Sequence, residues 1–223
     1  MLKRINLTGN PNLGVYISVT DDVAIVPPNF PENMENAIIE ALDIELIKTT
    51  IAASNLAGAL VVGNSNGLVV SPQTSDEEIA LLKEHGIDNI SRIQDRYSAV
   101  GNIVAANDVG AICSPFLGKT SIETIKDTLD VQVISHSIAG YDIIGSLLAV
   151  TNKGFLIHKD ASEDEIQMAK NIFSVEGDVG TVGRGISLVG ACSISNSNGV
   201  VVAENTTGPE MARIEEALGF LDF

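Results

Sequence analysis

Residues 56–67, LAGALVVGNSNG, set a frame that the chain uses five times. NLGVYISV (12–19), LAGALVVG (56–63), AVGNIVAA (99–106), IIGSLLAV (143–150) and LVGACSIS (188–195) share one anchor glycine, at Gly14, Gly58, Gly101, Gly145 and Gly190, with spacings of 44, 43, 44 and 45 residues. A second glycine follows nine residues after each of the last four anchors, at Gly67, Gly110, Gly154 and Gly199, while the first copy has Asp22 one place earlier. A period of this length marks a repeat architecture. NSNG, NDVG, TNKG and NSNG between apolar runs predict hairpin turns, because Asn, Asp and Gly tolerate positive φ, so each repeat is expected to open with a β-hairpin.

Working outward, Pro27, Pro72 and Pro115 stop the second strand, with Lys159 and Glu204 at the same place in the last two repeats. Helix-start chemistry follows: Ser75 with Glu78, Ser162 with Glu165 and Thr207 with Glu210 have capping-box spacing, and Pro31 and Pro209 suit a first helical turn. Stretches such as EEIALLKEHG and DEIQMAKNIF have helical periodicity with an acidic outer face. A third extended run then leads to the next anchor. The unit is ββαβ, and the class is α+β, a five-fold pseudo-symmetric ring of pentein or β-α propeller type in one domain, residues 1–223. Repeats run at about 9–53, 54–96, 97–140, 141–185 and 186–223 plus 1–8. The fifth lacks room for a third strand, so LKRINLTG (2–9) is expected to supply it and close the ring, removing an open sheet edge.

With 45% hydrophobic and only 4% aromatic residues and no Trp, the core must be Val, Ile, Leu and Ala. No apolar run is long enough for a bilayer, and the first residues lack a signal-peptide core, so the expected location is the cytoplasm, with no membrane partner. Thirteen Lys and Arg against 29 Asp and Glu give a net charge of −16, which repels phosphate backbones, disfavours DNA and favours a basic protein partner. Cys113 and Cys192 have neither disulfide-framework nor metal spacing, and no cofactor is indicated.

Pentein rings also carry guanidine-modifying enzymes (deiminases and amidinotransferases), the rival reading, which need a nucleophilic Cys with His and carboxylates. Both cysteines occupy strand positions that are apolar in the other repeats, which predicts packing. His85 precedes a C-cap glycine at a helix end, and His136 and His158 lie on strands without a triad partner in sequence. No catalytic residue is assigned. GDVGTVGRG (177–185) lacks the ending of a phosphate loop; its glycines are expected to allow tight bends or close strand packing near the pseudo-axis. Arg184 and Asp95, both six residues before their anchors, suggest a charge pair across the ring.

RIQDRYSAVGNIVAANDVGA (92–111), GTVGRG (180–185) and LAGALVVGNSNGLVVSPQTSDEE (56–78) resemble, in order and spacing, the archaeal and eukaryotic translation initiation factor 6 family, and the resemblance covers essentially the whole chain. It implies a factor that binds the large ribosomal subunit on its joining face and sterically blocks the small subunit, without catalysis. Ending at Phe223 soon after the fifth helix, the chain resembles the archaeal form. An acidic factor should dock mainly on basic ribosomal proteins, with limited contact to ribosomal RNA. Equivalent repeat positions place the hairpin turns on one rim, so Asn64, Asn66, Asn107, Asp108, Asn152, Asn196 and Asn198 are the expected ribosome-contact residues; no metal ligands are expected.

Overall fold

A computed structural model describes residues 1–7 and 9–221. Thr8, within the N-terminal stretch expected to close the ring, and Phe223, the chain end used above, lie outside the described residues. After β1 (Leu2–Ile5), each repeat runs short helix, strand, strand, long helix. In the first, α1 (Leu13–Tyr16), β2 (Ser18–Val19), β3 (Val23–Val26) and α2 (Glu32–Leu42) lead to β4 (Glu45–Lys48). The second has α3 (Ala57–Leu60), β5 (Val61–Asn64), β6 (Gly67–Val70), α4 (Asp76–Glu84) and β7 (Ile90–Arg92). Then come α5 (Val100–Ile103), β8 (Val104–Ala106), β9 (Gly110–Cys113), α6 (Lys119–Leu129) and β10 (Gln132–Ser135). The fourth has α7 (Ile144–Leu147), β11 (Leu148–Val150), β12 (Phe155–His158), α8 (Glu163–Phe173) and β13 (Gly177–Gly180). The last contains α9 (Val189–Cys192), β14 (Ser193–Ser195), β15 (Val200–Ala203) and α10 (Gly208–Ala217).

Five three-stranded sheets result. In each, the hairpin is antiparallel and the strand after the long helix runs parallel to the middle strand, as in Val23↔Glu45 and Gly110↔Gln132. The fifth sheet takes its third strand from the N-terminus: β1 pairs in parallel with β15, Leu2↔Val200 through Ile5↔Ala203. The fold is α+β with five-fold repetition.

One expectation needs correction. The anchor glycines do not begin strands; each lies in a one-turn helix, α1, α3, α5, α7 or α9. A Cβ added to Gly58 would collide with the carbonyl oxygen of Gly14, one on Gly101 with that of Gly58, and so on through Gly145 and Gly190; one on Gly14 would meet the carbonyl of Gly190. Backbone-to-backbone approach of this kind leaves no room for a side chain, so glycine recurs for contact between repeats.

Middle strands are buried along their whole length, and their alternation divides them between two cores. Ala24 and Val26 of β3 join the cluster containing Val201, Ile5 and Leu42, whereas Val23 and Ile25 join Leu68, Val70 and Leu82 of the second repeat. Likewise Ala111 and Cys113 of β9 pack with the second repeat, and Ile112 with Phe155 and Phe173 of the fourth. Each core thus lies between neighbouring repeats, including the last and the first. At about 1.5–3 kcal/mol for each fully buried large aliphatic side chain, separating a repeat from either neighbour exposes one whole row of its middle strand and the stabilisation that row contributes.

Candidate functional site: two ends of the repeat array

At the turn end, each hairpin loop has a first residue that is buried, Thr20, Asn64, Asn107, Thr151 or Asn196. Its side-chain oxygen accepts from backbone N–H groups two or three residues on: Asn107 Oδ1 from Val109 and Gly110 (both 3.0 Å), Asn196 Oδ1 from Asn198 (2.9 Å) and Gly199 (3.1 Å), and Thr151 Oγ1 from Lys153 (3.1 Å) and Gly154 (3.2 Å). None of these turn residues has positive φ. Positive φ is therefore not what selects Asn and Gly there, contrary to expectation: side-chain hydrogen bonds shape the turns, and Gly110, Gly154 and Gly199 are small because a Cβ would strike the backbone of Ile172, Ala217 and Ala41 at the end of the long helix of the next repeat.

The amide of the first-position asparagine does a second job. Asn64 Nδ2 donates to Leu129 O (2.9 Å) and Asn107 O (3.1 Å); Asn107 Nδ2 donates to Phe173 O (3.0 Å) and Thr151 O (3.2 Å); Asn196 Nδ2 donates to Leu42 O (2.9 Å) and Thr20 O (3.4 Å). Carbonyls at a helix C-terminus lack intrahelical partners, and these asparagines satisfy one in the next repeat. Of the seven rim residues expected from the sequence, Asn64, Asn107 and Asn196 are thus buried staples. Asn66 and Asn198 are exposed, though their amides also reach Leu129 O (2.9 Å) and Leu42 O (3.1 Å). Asp108 and Asn152 are half-buried: Asn152 Nδ2 donates to Asp108 Oδ2 (2.7 Å) and Asp21 Oδ2 (3.0 Å), while Ser65 N donates to Asp108 Oδ1 (2.9 Å) and Ser197 N to Asp21 Oδ1 (2.7 Å).

At the opposite end lie the loops between each third strand and the next anchor. All three capping boxes form. Their glutamates also bind the loop that ends the preceding repeat: Glu78 accepts from Ala52 and Ala53 N–H (both 2.9 Å), Glu165 from Ala139 (2.9 Å), and Glu210 from Gly185 (2.8 Å) and Arg184 (3.1 Å). These donors belong to loops carrying left-handed residues, Ala52, Ala53, Ala139, Arg184 and Gly185. Burial pulls the Glu210 carboxyl up, but the N–H groups of Thr207, Gly185 and Arg184 and the Thr207 hydroxyl outweigh it and hold the pKa at about 2. Gly183 and Gly185, both with positive φ, bend the chain around a helix N-terminus, while Gly177 and Gly180 lie in β13, where a Cβ would strike the side chains of Phe155 and Leu156.

Arg184 and Asp95 do not pair: among the described residues neither takes part in an ion pair. In the third repeat Ser121 stands where the other boxes have a glutamate, and Asp95 takes over the glutamate's role, accepting from the N-cap N–H of Gly118 (3.2 Å) and from Ser121 Oγ (2.9 Å). Its carboxyl is pulled up by burial and more strongly lowered by these bonds and the N–H groups of Tyr97 and Arg96. No sequence pattern pointed to this substitute cap, since its two halves lie 23 residues apart.

Both thiols are buried, and desolvation pushes each up to about 11, against a weaker lowering by the Ser135 hydrogen bond at Cys113. Neither is a thiolate at neutral pH. His136 meets Cys113 backbone to backbone (3.1 Å), His85 Nδ1 contacts Glu45 Oε1 (2.6 Å), and His158 Nδ1 accepts from Asp160 N (3.2 Å). Among the described residues, no cluster of three or more His, Cys, Asp and Glu could hold a metal, and no helix is long and apolar enough to cross a membrane.

A sequence model of the eIF-6 family matches residues 2–217. Translation initiation factor 6 of Methanobrevibacter smithii is 57% identical over 222 residues, covering 100% of this chain and 99% of its own length. The proteins of the same name from Staphylothermus marinus (39% over 219 residues, 96% of each chain) and Pyrococcus abyssi (38% over 225 residues, 99% of each chain) are also similar along their full length. These names describe translation initiation factors and not enzymes. With the family model and full-length identity in agreement, the chain belongs to the eIF-6 family.

Proposed function

We propose that this translation initiation factor binds the large ribosomal subunit and sterically prevents the small subunit from joining it, acting in the cytoplasm as one domain whose five repeats close into a pentein-type ring. The full-length identity to proteins named translation initiation factor 6 carries the reading. Ring closure is supported by the β1–β15 pairing, by the core shared between the last repeat and the first, and by the contact of α9 with α1. Blocking by bulk needs a rigid body and no chemistry, which agrees with thiols held protonated by burial.

Docking uses the turn rim, where Asp108, Asn152, Asn66 and Asn198 present polar atoms, while Asn64, Asn107 and Asn196 hold the rim in place from beneath. A net charge of −16 selects basic ribosomal proteins as main partners and makes binding salt-sensitive. Co-sedimentation with separated subunits at low and high salt tests this: the chain should travel with the large subunit and be released as salt rises. Asp108→Asn, which keeps an acceptor for Ser65 and removes the charge, should weaken binding severalfold and flatten its salt dependence. Migration with neither subunit at low salt would refute the reading, and unchanged binding by the variant would remove Asp108 from the contact.

A further inference from the structure

In four repeats the loop at the end opposite the turns closes on itself through a short bridge, Leu7–Asn10, Ile51–Ser54, Ile138–Tyr141 or Val182–Ile186. The third repeat instead displays an exposed stack. Tyr97 and Phe116 lie nearly parallel, with centroids 5.4 Å apart and planes 20° apart. The Arg96 guanidinium sits 4.8 Å from the Tyr97 centroid and donates from Nη2 to the Tyr97 hydroxyl (2.7 Å). Phe116 is 53% exposed, an unusual state for a large aromatic side chain that contributes to no core cluster.

Asp95 ties the two sides of this stack together, accepting from Tyr97 N (3.3 Å) on one side and from Gly118 N (3.2 Å) on the other. Phe116 N donates to Ser114 Oγ (3.2 Å), which fixes the backbone beneath the ring. Arg96 and Lys119 are exposed, and neither forms an ion pair among the described residues. In a chain of net charge −16, two exposed cations without a salt-bridge partner flank this stack, and the one carboxylate between them, Asp95, is taken up by the N–H groups of Tyr97 and Gly118 and the Ser121 hydroxyl.

We propose that Phe116, Tyr97, Arg96 and Lys119 form a platform for an unpaired RNA nucleobase, which stacks on the open face of Phe116 while its phosphates meet Arg96 and Lys119. The proposal rests on the ribosomal reading and assigns the place of a limited RNA contact. Charge disfavours the basic ribosomal proteins here, which Arg96 and Lys119 repel, and favours the phosphate of a nucleotide, with the aromatic ring supplying the surface for its base. Aromatic stacking suits single-stranded RNA because every base offers a π face. The apolar tips of the same end, Leu56, Ile143 and Leu188, lack that pairing of ring and cation.

Fluorescence anisotropy of a labelled short oligoadenylate, titrated with the full chain at low salt, tests the platform without ribosomes. Wild type should bind saturably. Phe116→Leu, which keeps apolar bulk and removes the π face, should weaken binding about tenfold, Phe116→Trp should restore it, and Lys119→Glu should weaken it and reduce the salt slope. Absence of saturable binding, or a Phe116→Leu variant that binds like wild type, overturns the proposal. Co-sedimentation with the large subunit is scored separately, so a chain that binds subunits but not oligoadenylate refutes the platform alone, and the converse refutes the ribosomal reading alone.

Discussion

Two kinds of seam join the repeats at the turn end. Where the first turn residue is Asn64, Asn107 or Asn196, a buried carboxamide shapes its own turn and binds a helix-end carbonyl of the next repeat. Where it is Thr151 or Thr20, the hydroxyl accepts from its own turn, Lys153 and Gly154 N–H in one case and Asp22 (3.3 Å) and Val23 (3.2 Å) in the other. The seam after Thr151 keeps its turn glycine, Gly154, tight against Ala217. That after Thr20 has neither amide nor glycine, and a cleft of about 330 Å³ opens there, lined by Asp22, Asn66, His85 and Asp88. At this seam the absence of both carboxamide and glycine coincides with the open cleft.

The largest effect on this comparison should come from the seam that has no covalent connection through the sheet. Deleting residues 1–5 removes β1, exposes an edge of β15 and takes Leu2 and Ile5 from two cores. The melting temperature should fall by more than about 10 °C; an unchanged melt would mean that the last repeat is complete without the N-terminus.

Next in size is the staple itself. Asn107→Ala leaves Thr151 O and Phe173 O without their amide donor and frees the turn N–H groups, which should cost about 3 kcal/mol in chemical denaturation. Thr151→Ala loses only bonds within its own turn and should cost about 1 kcal/mol. Equal losses would show that turn shape, and not the link between repeats, sets the strength of a seam.

A smaller effect comes from the opposite end, at Glu210. Its folded pKa of about 2 lies below the ordinary carboxylate value of 4.5, so its contribution is fully present above the unfolded value and is lost as pH falls from about 5 towards 2. Screening by solvent at this partly exposed site leaves about 1 kcal/mol. Glu210→Gln should therefore lower stability near neutral pH by about that amount and bring the wild-type and variant curves together in acid; a constant gap down to acid pH would contradict the charge-based account.

The repeat, its strand–helix order and the three capping boxes were legible because periodicity and cap chemistry are local. Borrowing of β1 by the last sheet was legible for a related reason: the fifth repeat visibly lacked a strand. The anchor glycines looked like strand residues because LAGALVV is uniformly apolar, and periodicity cannot separate a buried helical turn from a buried strand in so short a run. Asparagine in NSNG and NDVG read as turn chemistry, which it is, but its second bond goes to helix ends 65 or 66 residues away for Asn64 and Asn107, and no local pattern encodes that. Asp95 pairs not with Arg184 but with the Gly118 N–H and the Ser121 hydroxyl, 23 and 26 residues on, where Ser121 replaces the usual capping glutamate and no local pattern points to the substitute.

Light scattering of purified large and small subunits mixed with and without the chain tests the central claim most directly. Pre-incubating the large subunit with the chain should suppress the rise that marks joined ribosomes in proportion to occupancy, while pre-incubating the small subunit should confer no added suppression. An unchanged rise at saturating occupancy of the large subunit would contradict the account.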